Sequence, residues 1–396
     1  MGGLIMASTI NADTTNGVVV TSDTSGEIEL QSAGVTKAKV TANGLQDNNG
    51  NSLRGGSFRN LLINGDMNIA QRGTSVTGIT GTDYYTVDRY RLAVNTMGTF
   101  TMLQDTDVPT GQGFTTSLKL SCTTADTSPA VGDSINIQHR IEGQNLQHLK
   151  FGTSSAESLT LSFWVKSNKT GTYTVWFYQQ DDDRQICPTF TIDSADTWEK
   201  KTITVDGDTS GVIDNNNGDG LRIGFFLGVG SDFTSGTLAS SWEANVKANR
   251  VSSSNVNLAD STSNYINITG VQLEVGEGAS DFEFLPYDVQ LARCQRYYIK
   301  ITDPAASGVA AGGNSARNSI FLPVTMRATP TVLASGTFNF YNGSGVRTGT
   351  VAGYYPGISA QVVQLDFTLS SGFTTSQAVT LFTNNGNQFI SSSAEL

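Results

Sequence analysis

The sequence predicts an all-β protein: a central β-sandwich or barrel, one short helix behind it, and a second, smaller β domain. Two observations lead to this class. Apolar and polar residues alternate over many short segments, the period of strands that bury one face, and Gly, Asn and Asp turns separate these segments. In addition, charged residues are only 15% of the 396 and 42 residues are glycine, which is typical of a β surface of hydroxyls and amides.

Composition excludes several classes of partner. The net charge is -11 and the pI is about 4.6, and no Lys/Arg cluster is present to displace counterions, so we expect no nucleic-acid partner. The three cysteines are widely spaced, with neither a disulfide framework nor metal-ligand spacing. We recognise no signal peptide and no apolar run long enough to span a bilayer. We therefore expect synthesis in a cytoplasm and no membrane insertion.

Residues 1–55 form the first predicted region. They contain short strand candidates at Val18–Val20, Ile28–Leu30 and Val35–Val40, separated by polar turns. Strands this thin cannot build a core alone. They must pack on a partner or on copies of themselves.

Residues 56–284 form the predicted central domain. Three of its strands have a clear inward-facing phase: Leu159, Leu161, Phe163 and Val165; Tyr173, Val175 and Phe177; Leu221, Ile223, Phe225, Leu227 and Val229. Between the first two strands, Ser167–Gly171 reads as a hairpin loop.

The opposite phase of these strands also carries large side chains, so the second face is not simply solvated. We select as candidate ligand contacts Trp164, Trp176, Tyr178, Arg222, Phe226 and Gln272. Glycine on either side of Phe226 would leave room for a flat ligand, and sugars stack their apolar faces on such rings. Three kinds of cover are open: another layer of the same chain, a neighbouring subunit, or a glycan.

Residues 285–301 are predicted to form a linking helix, and residues 302–396 a C-terminal β domain. The helix carries a stripe at heptad spacing: Tyr287, Leu291, Cys294, Tyr298 and Ile301. The stripe either docks on the sandwich of its own chain or forms a seam between three copies.

Carboxylates are the candidate ligands for a metal site in this sequence. Four aspartates cluster in one stretch and suggest a structural calcium: Asp206, Asp208, Asp214 and Asp219. The stretch departs from the EF-hand pattern, and this departure favours a solvated turn over a metal site. We expect no cofactor other than a structural calcium at these residues.

Neither a Ser/His/Asp nor a Cys/His arrangement is evident, and no repeat suggests a glycan-cleaving β-helix. We therefore expect a protein that is not an enzyme.

Four collinear phrases resemble the tail-fibre and other virion structural proteins of tailed bacteriophages. They are MASTINADTTNGVVVTSDTSGEIELQ from Met6, NLLINGDMNIAQRG from Asn60, GVQLEVGEGASDFEFLPYDVQLARCQRYYIK from Gly270, and LPVTMRATPTV from Leu322. The resemblance implies a carbohydrate-binding-module-like jelly roll for the central domain.

For the whole chain the resemblance implies a virion appendage. We expect a homotrimer whose N-terminal segment binds other virion proteins and whose β domains recognise host-surface glycan. The alternative is a purely structural head or neck decoration protein without glycan binding.

Overall fold

The computed structural model describes residues 28–32, 35–41, 44–47, 58–354, 359–383 and 388–396. The chain divides into two compact units, residues 1–56 with 278–281 and residues 57–277 with 282–396. The described residues contain many strands and a single α-helix, so the predicted all-β class is confirmed. No helix in these ranges is long and apolar enough to cross a membrane.

The first unit contains a small antiparallel sheet of three strands. These are β1 Ile28–Ser32, β2 Val35–Thr41 and β3 Gly44–Asp47. Its register places the apolar side chains on one face: Ile28, Leu30, Ala38, Val40 and Leu45. On the other face Lys39 pairs with Glu29 at 3.2 Å. The strand candidate Val18–Val20 lies outside the described residues.

The second unit begins with the strands of the central domain. They are β4 Ser75–Ile79, β5 Asp83–Tyr84, β6 Arg91–Asn95, β7 Thr99–Asp105, β8 Ser117–Thr124, β9 Ser134–Glu142, β10 Leu159–Ser167, β11 Gly171–Gln179, β12 Arg184–Ile186, β13 Thr189–Ile192, β14 Glu199–Val205, β15 Asp219–Val229, β16 Glu243–Ala244 and β17 Tyr265–Val275. Short 3-10 helices interrupt the loops at Gly143–Asn145, Gln147–Leu149, Ser231–Phe233, Lys247–Asn249 and Leu258–Asp260.

These strands form a jelly-roll sandwich of two sheets. One sheet has the order β14-β10-β17-β8-β7-β4; the other has the order β16-β12-β11-β15-β9-β6-β5, with β13 paired to β11. The predicted inward phases of β10, β11 and β15 fill the space between the sheets, except that Val229 is only half-buried. Phe163 of one sheet meets Phe225 of the other edge to face, with ring centroids 5.1 Å apart.

The predicted hairpin at Ser167–Gly171 is wrong. Strand β10 pairs with β14 and β17, whereas β11 pairs with β12, β13 and β15. The turn therefore carries the chain from one sheet to the other. Turn composition indicates where a strand ends, but the choice of pairing partner depends on the whole core.

The one α-helix among the described residues, α1, spans Tyr287–Gln295. The predicted range 285–301 was too long, because the chain leaves the helix after Gln295 and continues as a strand, β18 Tyr298–Thr302. Backbone pairing of this strand with Phe389–Ser393 replaces the helical hydrogen bonds that the heptad spacing suggested.

The described part of the C-terminal domain contains β18 and eight further strands. They are β19 Ala306–Gly312, β20 Ser315–Phe321, β21 Thr331–Ser335, β22 Phe338–Tyr341, β23 Val346–Tyr354, β24 Val362–Leu369, β25 Ala378–Phe382 and β26 Phe389–Ser393. Six of them close into a barrel in the order β19-β20-β24-β23-β22-β25, and the others form the sheet β18-β26-β21. Phe338, Phe340 and Phe367 fill the barrel.

The phrase Asn60–Gly73 lies between the sandwich and the C-terminal domain. Within it, the buried Asn64 amide donates to the carbonyls of Ile69 and Asp88, and its oxygen accepts from the Ile69 N–H, each at 2.9 Å. Outward from it, the Gln71 amide donates to the Tyr298 carbonyl at 2.7 Å. The loop therefore satisfies its own polar groups and holds the strand that follows α1.

A buried charge cluster joins the same two parts of the chain. The fully buried Arg89 pairs with Glu395, donates to the Arg140 carbonyl at 2.7 Å, and lies 3.5 Å above the Tyr297 ring. Arg72 pairs with Glu395 from the other side at 3.2 Å. Glu395 thus neutralises two guanidinium groups within the core.

We predict that Glu395→Gln lowers the free energy of unfolding by about 3 kcal/mol, because it leaves Arg89 charged and buried without a counterion. Urea denaturation of the full chain measures this change. Asp232→Asn is the matched control: its partner Lys247 is about half exposed, so the loss is expected to be within about 1 kcal/mol. Equal losses in the two variants would contradict the proposed role of the buried cluster.

Candidate functional site

The predicted ligand contacts lie on two different faces of the sandwich. Trp176 and Tyr178 of β11, with Arg222 and Phe226 of β15, belong to the eight-stranded sheet. Trp164 of β10 belongs to the six-stranded sheet, as does Gln272. The expectation of one shared face is therefore wrong, because the chain crosses between sheets after β10.

The outer face of the eight-stranded sheet is covered by the same chain. The segment 230–256 lies over it, and Trp176 and Phe226 are buried against Phe233 and Val251. The Arg250 guanidinium stacks 4.6 Å above the Trp176 ring. Of the three kinds of cover considered for these aromatic side chains, the structure shows intramolecular cover.

The remaining candidates on the eight-stranded sheet have partners within the chain. Tyr178 stacks on Trp176 with centroids 4.5 Å apart and donates its hydroxyl to Asp183 at 2.7 Å. Arg222 binds Asp219 at 2.5 Å. The space expected beside Phe226 is taken by a ring, because a Cβ on Gly224 would lie 3.3 Å from Trp176. A ligand could reach Trp176 and Phe226 only by displacing the covering segment, whereas Arg222 is half-buried and held by its ion pair with Asp219.

Gln272 on the six-stranded sheet is also closed off. Its side chain is fully buried; its amide donates to Glu274 at 2.9 Å and its oxygen accepts from the Glu283 N–H at 2.8 Å. It stabilises the backbone that follows the sheet, and it offers no surface to a ligand.

The outer face of the six-stranded sheet carries a group of partly exposed aromatic rings. We call it the Trp164 platform and define it as Trp164, Trp198, Tyr265 and Phe284. Trp164 is half-buried on β10, and Trp198 lies just before the neighbouring strand β14. Phe284 is 49% exposed.

A bulge shapes the centre of the platform. The β10–β17 register shifts between Ser162 and Trp164, and Gly270 there has φ of +61°. A Cβ at Gly270 would lie 2.6 Å from Phe114 and 3.1 Å from Trp164. Phe114 in turn packs on Phe284, with centroids 5.1 Å apart. Glycine is required both for this backbone conformation and for the close approach of the rings.

A polar network contacts two of the rings, Trp198 and Tyr265. Asp107 accepts from the Trp198 indole at 3.0 Å and from Lys166 at 2.7 Å. Nearby, Lys119 pairs with Asp105 at 3.3 Å and lies 4.9 Å from the Tyr265 ring. The platform therefore combines flat apolar surfaces with fixed charged groups, the combination that orients a polyhydroxylated ligand.

The two carboxylates of the network both have a lowered pKa. Burial tends to raise the pKa of Asp107, but the hydrogen bonds from Lys166 and Trp198 outweigh it and hold the pKa below its ordinary value. The pKa of Asp105 is likewise lowered: burial opposes the change, and contacts with the Asp107 N–H, Lys119 and Asn267 outweigh it. General-acid catalysis needs a carboxyl group whose pKa is raised. Asp105 and Asp107 are therefore suited to accept hydrogen bonds from hydroxyl groups.

The four candidate calcium ligands do not converge. Asp208 is buried and pairs with Arg184 at 2.6 Å, and Asp219 pairs with Arg222. Asp206 and Asp214 have exposed side chains. Within the described ranges, no three His, Cys, Asp or Glu side chains are grouped to hold a metal ion. Arg184 and Arg222 neutralise Asp208, which is buried, and Asp219, which is half-buried.

The predicted oligomer stripe is divided between two elements and mostly buried within its own chain. On α1, Cys294 is buried and Leu291 packs beside it against Ile63 and Ile69. Beyond the helix, Tyr298 and Ile301 lie on β18; Tyr298 is buried, and Ile301 packs on the barrel core. Only Tyr287, at 64% exposure, remains on the surface. The structure therefore shows the first alternative, in which the stripe docks on its own chain, and not a seam between three copies.

Three platform residues were absent from the sequence prediction: Trp198, Tyr265 and Phe284. Trp198 continues the outward phase of Lys200, Thr202 and Thr204, and this alternation was the available signal. Phe284 lies in a loop, where no periodicity shows the direction of a side chain.

Comparison with known proteins gave only distant similarities. No protein-family model matches the chain, and no curated protein matches it. Among solved structures, the enzymatically active domain of tailspike protein 4 from bacteriophage CBA120 is 17% identical with a TM-score of 0.29; the match covers 56% of this chain and 22% of that one.

Several carbohydrate-binding modules are similar to the same extent. The module TmCBM61 in complex with β-1,4-galactotriose is 8% identical, with a TM-score of 0.28, over 55% of this chain and 99% of the module. The family 11 module of Clostridium thermocellum with a β-1,3-1,4-mixed-linked tetrasaccharide is 9% identical, with a TM-score of 0.26, over 52% and 99%. Scores in this range do not identify a shared function.

We predict that Asp107→Asn loosens Trp198, because an amide has a single oxygen to accept from both the indole and Lys166. The free energy of unfolding falls by about 1 kcal/mol, and the Trp198 indole signal in a ¹⁵N-¹H NMR spectrum shifts and broadens. Trp242 is the internal control, since its indole donates to the Asp206 carbonyl at 2.7 Å, at the other end of β14. An unchanged Trp198 signal would contradict the positioning role of Asp107.

Proposed function

We propose that the chain is a non-enzymatic bacteriophage appendage protein that binds host-surface glycan through the Trp164 platform. The observation that carries the proposal is that the Trp198 indole and Lys166 both bind Asp107, on the sheet face that also carries the partly exposed Trp164. Sugar rings present apolar C–H faces to aromatic surfaces and hydroxyl edges to charged groups. The platform offers both within one surface.

The contrast between the two sheets supports this location. Trp176 and Phe226 are less than 5% exposed under the segment 230–256, whereas the aromatic side chains of the platform remain partly exposed. Trp198 and Tyr265 are partly exposed and held by hydrogen bonds to Asp107 and Asp196, so they can receive a ligand without an unfolding step and with little loss of conformational entropy.

We expect Trp164→Ala and Trp198→Ala each to weaken glycan binding by at least about tenfold, as for truncation of a central aromatic contact. The measurement is binding of the full chain to a microarray of bacterial surface polysaccharides, with melting temperature as the folding check. Trp242→Ala is the matched control, because Trp242 is also half-buried but lies off the platform.

Two outcomes would contradict glycan binding at this site. Wild-type protein that binds nothing on the microarray would favour the alternative, a structural head or neck decoration protein. Equal losses in the Trp164, Trp198 and Trp242 variants would show that the changes act through stability.

The finer part of the proposal is that three copies assemble through the β1–β3 sheet. Leu30, Val40 and Leu45 lie on one face of this sheet and are 49%, 39% and 43% exposed. A three-stranded sheet with an uncovered apolar face is marginal by itself. Because α1 has no free apolar seam, this face takes over the role first assigned to the helix. A trimer would multiply weak glycan contacts through avidity.

We predict that the double change Leu30→Asp and Val40→Asp converts the trimer to a monomer, since it places charges on the apolar face. Multi-angle light scattering at low micromolar concentration gives the mass of each form. Lys37→Ser, an exposed position on β2, is the control and is expected to remain trimeric. A wild-type chain that runs as a monomer would contradict the assembly.

A further inference from the structure

The lysine side chains of the sandwich are paired with carboxylates, with one exception. Seven lysines lie within residues 58–284. Six of them form ion pairs with N–O distances of 2.5–3.3 Å: Lys119, Lys150, Lys166, Lys169, Lys201 and Lys247. The seventh, Lys200, forms no ion pair with the described part of the chain. Carboxylates are not scarce, since the chain has 35 Asp and Glu residues against 24 Lys and Arg residues.

Lys200 lies beside Trp164 on the platform. Strands β10 and β14 are antiparallel, and their register places Lys200 directly opposite Trp164. Side chains of directly opposite residues project from the same face, with Cβ atoms about 4.5–5.5 Å apart. Lys200 is exposed and Trp164 is half-buried. Because β14 is the edge strand of the six-stranded sheet, Lys200 forms part of the rim of the platform.

The carboxylates around Lys200 are already engaged with other lysines. On the same face, Asp105 and Asp107 pair with lysine side chains at 3.3 and 2.7 Å. Within β14, Glu199 and Lys201 lie on the opposite phase of the strand and pair with each other at 2.6 Å. Lys200 therefore carries a positive charge that no described side chain of the platform compensates.

An ammonium group in this position suits an anionic group at the edge of a bound sugar. A sugar ring stacked on the Trp164 indole directs its exocyclic substituents outward, within reach of the flexible lysine side chain. An ammonium has three hydrogen-bond donors and binds carboxylate or phosphate oxygens as a point charge. Such charge-assisted bonds are about twice as strong as bonds between neutral groups. A hydroxyl group therefore gains less from Lys200 than a carboxylate does.

We propose that the Trp164 platform selects glycans that carry an anionic substituent, a uronate carboxylate or a phosphate, and that Lys200 binds this substituent. The inference rests on the proposed function, because it assigns the ligand class of the same site. The aromatic rings supply the stacking surface, and Lys200 supplies the discrimination between acidic and neutral sugars. Because Lys200 is exposed, salt screens its charge, and the preference for acidic sugars falls as ionic strength rises.

The test compares two forms of one acidic polysaccharide that the microarray identifies: the native form, and a form whose carboxylates have been reduced to hydroxymethyl groups. For a phosphate-bearing polysaccharide, phosphatase treatment takes the place of reduction. We expect Lys200→Gln in the full chain to weaken binding of the native form about fivefold at low ionic strength. Reduction weakens binding to wild type equally and weakens binding to Lys200→Gln no further. Lys150→Gln removes an exposed lysine off the platform, has the same net charge as Lys200→Gln, and binds as wild type.

Two results would overturn this inference and leave the proposed function intact. The first is a neutral glycan whose binding is lost in Trp164→Ala and unchanged in Lys200→Gln. The second is equal loss of acidic glycan in Lys200→Gln and Lys150→Gln, which would show a general effect of net charge. A wild-type chain that binds no polysaccharide contradicts the proposed function itself, and the inference about its ligand class is overturned with it.

Discussion

The segment 230–256 covers the aromatic rings of the eight-stranded sheet and thereby determines which face of the sandwich keeps accessible rings. Trp176 and Phe226 pack under this segment with Phe233 and Val251, and Arg250 closes the layer over the indole. Burial of these rings removes a large apolar area from water, which stabilises the fold. The six-stranded sheet has its large rings only partly covered, and its outer face carries the candidate site.

A second constraint fixes the C-terminal domain on the sandwich. The phrase Asn60–Gly73 and the phrase around α1 both contribute to one buried junction: Gln290 donates to Asp66 at 3.2 Å and Gln71 to the Tyr298 carbonyl. Two phrases that lie far apart in the chain thus meet through specific hydrogen bonds. Buried charges at this junction are costly unless paired, so Glu395 and the arginines around it favour a single arrangement of sandwich and barrel.

Periodicity predicted the part of the fold that depends on local pattern. The inward phases of β10, β11 and β15 were visible because alternation at period two reports burial directly. The pairing of strands could not be predicted from this pattern, because the turn composition of Ser167–Gly171 is the same whether its flanking strands are neighbours or lie in opposite sheets. Alternation also predicted that Trp176 points outward, but it could not predict that a segment distant in the sequence covers this side chain. At Tyr298–Ile301, a spacing that suits a helix was overruled by pairing with β26. Trp198 was missed because it lies one residue before its strand begins, although it continues the outward alternation of Lys200, Thr202 and Thr204.

The four tryptophans provide the most direct test of glycan binding at the Trp164 platform, because two lie on it and two lie off it. Indole ¹⁵N-¹H signals of the full chain are followed during titration with an oligosaccharide that the polysaccharide microarray identifies. The account predicts that the signals of Trp164 and Trp198 move with the same saturation curve while those of Trp176 and Trp242 stay in place. Movement of the Trp176 signal with Trp164 unchanged would place the ligand on the covered sheet and contradict the account.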